Sequence, residues 1–338
     1  MHCLKDMGIT HSNVMKTNLS TIQHTTYVAG HRGLVGSSLV RELSKDSKTK
    51  LILRDHSELD LTNQGDTRRF FQEESPDTVV LAAARVGGIQ ANHQNPADFI
   101  YENLAIQTNV ISEAYARNVN KLLFLGSSCI YPRNANQPIT ESSLLTGPLE
   151  STNRPYAIAK IAGVEMCWSF NRQYGTHYCS VMPTNLYGPN DNYDLENAHV
   201  LPALIRKFHE AKFRDDKTVT LWGSGTPFRE FLHSDDLAGA CVLLLSLSNK
   251  DYANLFGEDQ PPLLNIGSGD ERSISSLANL VADVVGFRGE IEWDQSQPDG
   301  TPRKLLDSNR IRALGWKPEI SLEQGVEMAY LDYLSKIN

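Results

Sequence analysis

Between Thr26 and about Ser180, short unbroken apolar runs alternate with amphipathic stretches. The candidate strands are TYVAG (26–30), KLILR (50–54), DTVVLAAA (77–84), KLLFLGSS (121–128) and HYCSVMP (177–183). In the gaps the apolar positions recur with helical spacing, most clearly from Pro96 to Asn118 and from Tyr156 to Tyr174. Strands apolar on both faces and separated by helices predict an α/β fold, a Rossmann-type doubly wound parallel sheet that binds ligands at the carboxyl ends of its strands. After Leu186 the texture changes. The loop-like YGPNDNYDLENAH leads to a helix from about Val200 to Phe213, the strand VTLW and the segment GSGTPFREF. A helix after Ser234, the strand LLNIGS and helices at 274–285 and 321–336 complete a smaller, mixed α/β unit. The expected division is a first domain of residues 26–187 plus roughly 229–268, and a second of 188–228 and 269–338. Residues 1–25 are expected to form a mobile tail.

Composition narrows the function classes. The 338 residues are 40% hydrophobic and 21% charged, with a formal net charge of −8, which argues against nucleic acid or an anionic membrane as the main partner. The five cysteines are scattered with no CxxC pair, so neither a disulfide framework nor a metal site is indicated. No apolar run approaches the roughly 18–20 residues that span a bilayer. A reducing, cytoplasmic setting is the expectation.

The first candidate chemistry lies in YVAGHRGLVG, where Gly30, Gly33 and Gly36 follow the first strand in GxxGxxG spacing. Glycines there let backbone N–H groups approach a diphosphate at the start of a helix. His31 and Arg32 lie inside this turn, and Arg54 closes the second strand. Cations at that edge favour the 2′-phosphate of NADP, although Asp55 follows directly and a carboxylate suits NAD.

The second lies in RPYAIAKIAG. Tyr156 and Lys160 are four apart, so one helix face carries both. An ammonium beside a phenol favours the phenolate and makes a tyrosine a usable proton shuttle at neutral pH. Ser127, at the end of the fourth candidate strand, can hold a substrate carbonyl oxygen beside that phenol. Strand alternation, continued two residues further, would turn Cys129 to the same side. Spacing alone leaves Cys129 as either a small apolar filler or an acid/base group, and His199 reads by itself as a solvated or capping histidine.

Together these residues resemble the extended short-chain dehydrogenase/reductase family. The longer stretches FLGSSCIYP, TNRPYAIAKIAG, VMPTNLYGPNDN, NAHVLPALIRKFHEA, WGSGTPFREFLH and PDGTPRKLLD resemble its members that act on GDP-4-keto-6-deoxy-D-mannose, epimerising carbons 3 and 5 and reducing carbon 4 with NADPH. The likeness runs from about Tyr27 to the C-terminus. It implies an acid/base pair of Cys129 and His199 beside Ser127, Tyr156 and Lys160. For NADP(H) it implies the turn residues with Leu34 and Val35, then Arg54, Asp60 and Leu61. It adds Leu125, Gly126 and Ser128 beside Ser127, then Tyr156 and Lys160, and Pro183, Thr184, Asn185 and Leu186 near the nicotinamide, with His199 close by. For the GDP-sugar it implies Lys207, Trp222, Arg229 and Asp299. A homodimer through the helices near 96–118 and 156–174 is implied in the same way. One stretch departs from the pattern: LRDHSELD carries Asp55 and His56 where a less acidic segment with a second arginine is expected.

Three rivals share the fold. A dehydratase needs an acidic pair after the strand-end hydroxyl, where this chain has Ser128 and Cys129. A simple 4-epimerase would hold NAD tightly and need no thiol. A non-catalytic nucleotide sensor would have no use for the Tyr156–Lys160 pair. Asp235 and Asp236, in HSDDLAGA, read as a capped helix start.

Overall fold

The computed structural model describes residues 24–195, 197–297 and 299–337; the expected tail lies outside them except for His24 and Thr25. The strands are β1 (His24–Ala29), β2 (Thr49–Ile52), β3 (Thr78–Leu81), β4 (Lys121–Leu125), β5 (His177–Pro183), β6 (Asn185–Tyr187), β7 (Thr218–Trp222), β8 (Phe228–His233), β9 (Leu263–Ile266), β10 (Glu271–Ser273), β11 (Glu290–Asp294) and β12 (Arg303–Lys304). The helices are α1 (Leu34–Leu43), α2 (Gln64–Glu74), α3 (Ile89–Gln94), α4 (Pro96–Ala116), α5 (Arg154–Tyr174), α6 (Val200–Arg214), α7 (Ser234–Ser246), α8 (Asn249–Phe256), α9 (Ile274–Val285), α10 (Asn309–Ala313) and α11 (Leu322–Ile337).

Six strands form one parallel sheet in the order β2-β1-β3-β4-β5-β9. The chain runs from β1 to β2 on one side and returns to place β3 on the other. That reversal opens a crevice at the carboxyl ends of β1 and β3, where open α/β sheets take ligands. The unbroken apolar run of β4 has a direct cause. Leu122 and Phe124 join the core beneath α2, α4 and α5, while Leu123 and Leu125 join the core on the opposite face with Leu39 of α1 and Leu237 of α7. Each such side chain contributes roughly 1.5–3 kcal/mol on burial, so both faces must be apolar.

A third core gathers Phe208 of α6, Phe231 of β8, Val281 of α9 and Val326 of α11. Around it, β8 is flanked by β10 and β12 and also pairs with β6, while β7 and β11 form a separate parallel pair. Glu230 of β8 is fully buried and accepts hydrogen bonds from the Gly269 N–H at 2.7 Å and the Leu306 N–H at 3.1 Å. Burial raises its carboxyl above the usual range, and those two N–H groups offset part of the cost. At the start of α7 the cap is His233, whose Nδ1 accepts from the Asp235 N–H at 3.2 Å. Asp235 pairs with Arg41 at 2.5 Å, and Asp236 accepts from the N–H groups of Glu319 and Ile320, so both carboxylates are accounted for structurally.

Several strands end before the sequence expectation; the second stops at Ile52, so Arg54 lies just beyond it and does not close it. The third strand stops at Leu81 and the fourth at Leu125. Ser128–Ile130 form a 3-10 turn capped by the Ser127 hydroxyl, which accepts the Cys129 N–H at 3.2 Å. A side-chain oxygen that captures the backbone two residues on breaks the ladder. Cys129 is therefore placed by this turn and not by strand alternation.

Candidate active site

A cleft of about 970 Å³ lies at the carboxyl ends of the large sheet and runs on toward the loop that precedes α6. At one end is the glycine turn. Gly30 has φ +79° and packs on β3's exit, where a Cβ would stand 2.7 Å from the Ala83 nitrogen. At Gly36 a Cβ would stand 2.0 Å from the Gly30 carbonyl oxygen, so turn and helix can close together only without side chains. Gly33 caps α1 with no side-chain hydrogen bond, and the first turn of α1 carries no acidic residue. Leu34, Val35 and Gly36 line the cleft there. An uncapped helix start facing a cavity accepts a diphosphate, so these residues fit a dinucleotide.

Toward the adenosine end, Asp60 accepts from Thr62's hydroxyl and N–H, which hold its carboxyl below the usual range. Arg32 pairs with Asp55 at 2.9 Å, and Arg54 pairs with Glu74. Every residue assigned to the coenzyme from the sequence lines this one cleft: the glycine turn with His31 and Arg32, Arg54, Asp60 and Leu61, Leu125 to Ser128, Tyr156, Lys160, Pro183 to Leu186, and His199.

Ser127, Cys129, Tyr156, Lys160 and His199 share that cleft. The Lys160 Nζ donates to the Leu125 carbonyl oxygen at 2.7 Å and lies 5.7 Å from the centre of the Tyr156 ring. Burial pulls its ammonium down to about 7. Burial also pushes the Tyr156 phenol well above its usual value, with Cys129 adding to the rise and the Ser127 hydroxyl opposing it. This differs from the sequence expectation that Lys160 favours the phenolate. The ammonium is spent on a backbone carbonyl, so desolvation decides and the phenol keeps its proton at neutral pH. A protonated Tyr156 can donate a hydrogen bond to a substrate oxygen.

The Ser127 oxygen accepts the Cys129 N–H, which leaves its own proton for the Tyr156 phenol or a substrate oxygen. The Cys129 Sγ is met by the Asn153 Nδ2 at 3.1 Å and the Lys304 Nζ at 3.9 Å. His199 stands at the start of α6, open to the cleft yet surrounded by protein, and that desolvation lowers its imidazole below the usual value.

Lys207, Trp222, Arg229 and Asp299 do not line this cleft. Lys207 lies 5.9 Å from the centre of the Trp222 ring, and Trp222 is 60% exposed, so it is no core residue. Asp299 accepts from the N–H and hydroxyl of Ser224 and opposes the fall that burial imposes on the Arg229 guanidinium. The link to the cleft is Lys304, the register partner of Arg229, which does line it. Sequence reasoning missed Lys304, Asn153 and the segment Ala82–Gly87, whose run of small residues reads as more strand.

The loop before α6 carries Asp191, whose Oδ2 is buried with no hydrogen-bond partner among the described residues. Burial raises its carboxyl to about 7, Asp332 adds to this, and the Asn192 N–H and Lys336 oppose it. Its folded value exceeds its unfolded one, so the associated stability is present below about pH 4 and is lost as pH rises through 7. Asp191→Asn should therefore stabilise the protein at pH 8 by about 1–3 kcal/mol and by progressively less toward pH 5. Thermal unfolding midpoints across that range check this; a gain independent of pH contradicts it.

Comparison with known proteins agrees with this geometry. The chain matches the NAD dependent epimerase/dehydratase family over residues 26–256. It is 58% identical to the "Putative GDP-L-fucose synthase 2" of Arabidopsis thaliana over 92% of each chain. It is 52% identical to the "GDP-L-fucose synthase" of Escherichia coli, over 91% of this chain and 96% of that protein. Among solved structures, a GDP-D-glycero-L-gluco-heptose synthase from Campylobacter jejuni, determined in the presence of NADPH, superposes with a TM-score of 0.82 at 39% identity, covering 93% of this chain and 98% of that one.

Proposed function

The chain belongs to the NAD dependent epimerase/dehydratase family, and from that premise we propose that it is a bifunctional 3,5-epimerase and 4-reductase converting GDP-4-keto-6-deoxy-D-mannose to GDP-L-fucose with NADPH. The observation that carries this reading is one cleft lined by a thiol, an imidazole, a strand-end hydroxyl and a tyrosine–lysine pair, beside a glycine turn fit for a dinucleotide. A simple reductase needs neither the thiol nor the imidazole.

The carbon-4 ketone makes the protons on carbons 3 and 5 acidic. Ser127 and Tyr156 donate hydrogen bonds to the ketone oxygen and stabilise the negative charge that develops there when either proton leaves. Cys129 and His199 act as base and acid across the sugar ring, so reprotonation from the opposite face inverts each carbon. NADPH, when bound, supplies hydride to carbon 4. Tyr156 gives its proton to the carbon-4 oxygen in that step, and Lys160, buried beneath the phenol, holds the helix face that positions it.

Residues 26–187 with roughly 229–268 serve the coenzyme, and 188–228 with 269–338 serve the GDP-sugar. Lys207 and Arg229 meet the diphosphate as local cations in a chain of net charge −8. Trp222 offers an aromatic wall, and Asp299 holds the loop beside Arg229. The enzyme acts as a cytoplasmic homodimer through α4 and α5, a reading supported by the exposed apolar side chains Tyr101, Tyr115, Ile158 and Tyr174 on those two helices. Incubation with GDP-4-keto-6-deoxy-D-mannose and NADPH tests the function. The expected result is one NADPH oxidised per sugar and a product of L-fucose configuration by NMR. Protein that carries bound NAD and oxidises no NADPH would instead be a nucleotide-sugar epimerase or dehydratase of the same family.

A further inference from the structure

The adenosine end of the cleft holds an arrangement that the reaction itself does not explain. Arg32 and Arg54 are the cations that would meet a 2′-phosphate, yet each is already paired with a carboxylate. The Arg32 Nη2 lies 2.9 Å from the Asp55 Oδ2, and Arg54 pairs with Glu74 while also donating to the Leu53 carbonyl oxygen at 2.8 Å. The two pairs differ in one respect. Arg32, Arg54 and Asp55 line the cleft, and Glu74 does not.

Asp55 is also held firmly in place. Its Oδ1 accepts from the Ser57 N–H at 3.0 Å, the Ser57 hydroxyl at 2.6 Å and the Glu58 N–H at 3.1 Å. Its side chain is only 19% exposed, whereas that of Arg32 is 75% exposed. The carboxylate is the fixed member of the pair and the guanidinium the movable one. Asp55 directly follows β2 and its neighbours Leu53 and Arg54, at the edge where an acidic residue accepts from a ribose 2′-hydroxyl and a basic one takes a 2′-phosphate.

We propose that Asp55 is the residue that sets coenzyme choice in this enzyme, accepting the 2′-hydroxyl of NADH and opposing the 2′-phosphate of NADPH, so that both coenzymes are bound and preference for NADPH is weak. The inference rests on the coenzyme reading above. Arg32 swings between two anions. With NADH it stays on Asp55; with NADPH it turns to the phosphate while the carboxylate remains behind as a like charge. Glu74 tempers Arg54 from outside the cleft and does not touch the coenzyme.

The test is equilibrium binding, read as the ratio of dissociation constants for NADH and NADPH from nucleotide fluorescence, with 5′-ADP and 2′,5′-ADP by calorimetry as fragments that isolate the phosphate. Wild-type protein should bind both dinucleotides. Asp55→Asn should move the ratio by about tenfold toward NADPH, the scale of one like charge removed from a half-exposed phosphate site. Arg32→Met should move it the opposite way. A general loosening of the 55–58 turn would weaken both dinucleotides alike and leave the ratio unmoved, so the ratio isolates the proposal. A ratio in Asp55→Asn within twofold of wild type overturns it. Wild-type protein that binds neither dinucleotide overturns the coenzyme reading and this inference together.

Discussion

Tyr156→Phe should lower the rate of NADPH-dependent ketone reduction by about 100-fold or more, the scale of a lost general acid, a far larger effect than any on NADPH affinity. The variant removes one oxygen and keeps the ring, which packs edge-on against Phe99 at 6.4 Å, so the start of α5 should be undisturbed. That oxygen is the buried phenol whose proton desolvation retains at neutral pH. Its nearest competitor as donor, the Lys160 ammonium, is directed to the Leu125 carbonyl oxygen and does not replace it. The substrate for this measurement is the already epimerised 4-ketone, which separates reduction from the earlier steps. A rate within a few-fold of wild type would remove Tyr156 from the role of acid.

Cys129→Ser should separate the two activities. Serine preserves the 3-10 turn and can still accept from Asn153, but a hydroxyl is a far weaker acid and base than a thiol near neutrality. Exchange of the carbon-3 and carbon-5 protons with solvent deuterium should fall by about 10²- to 10⁴-fold, the range of a lost acid/base group. Reduction of the epimerised ketone should persist, because Tyr156, Lys160 and Ser127 are intact. Equal losses in both assays would refute the division of labour between the thiol and the phenol.

The parts of this fold legible in the sequence are those whose burial pattern is local. The pattern predicts β5 at 177–183 and α9 at 274–285, the bounds observed, because a strand buried on both faces and a helix with one apolar stripe announce themselves. The strands β6, β8, β10 and β12 did not. They are short, they mix polar and apolar residues, and their extended shape is set by cross-strand partners far along the chain, as where Glu271 meets Glu230.

The site divides in the same manner. The glycine turn and the Tyr156–Lys160 spacing are local signals, and both lie where the sequence puts them. The surroundings of Cys129 are not local: Asn153 is 24 residues away and Lys304 is 175. Each lies in a stretch that carries the resemblance, TNRPYAIAKIAG and PDGTPRKLLD, but neither stretch shows which residue meets the thiol. The direction of the Lys160 ammonium is not local either, since spacing shows that it is near the Tyr156 phenol but not what it donates to. A backbone carbonyl at 2.7 Å claims it.

The central claim is that one cleft performs two proton exchanges and one hydride delivery on the same sugar ring. A single turnover with GDP-4-keto-6-deoxy-D-mannose and unlabelled NADPH in deuterium oxide, with the product read by NMR, tests it most directly. The account predicts deuterium at carbons 3 and 5 and protium at carbon 4 of a sugar with L-fucose configuration. A reduced sugar that carries protium at all three carbons, its original configuration kept at 3 and 5, would contradict it.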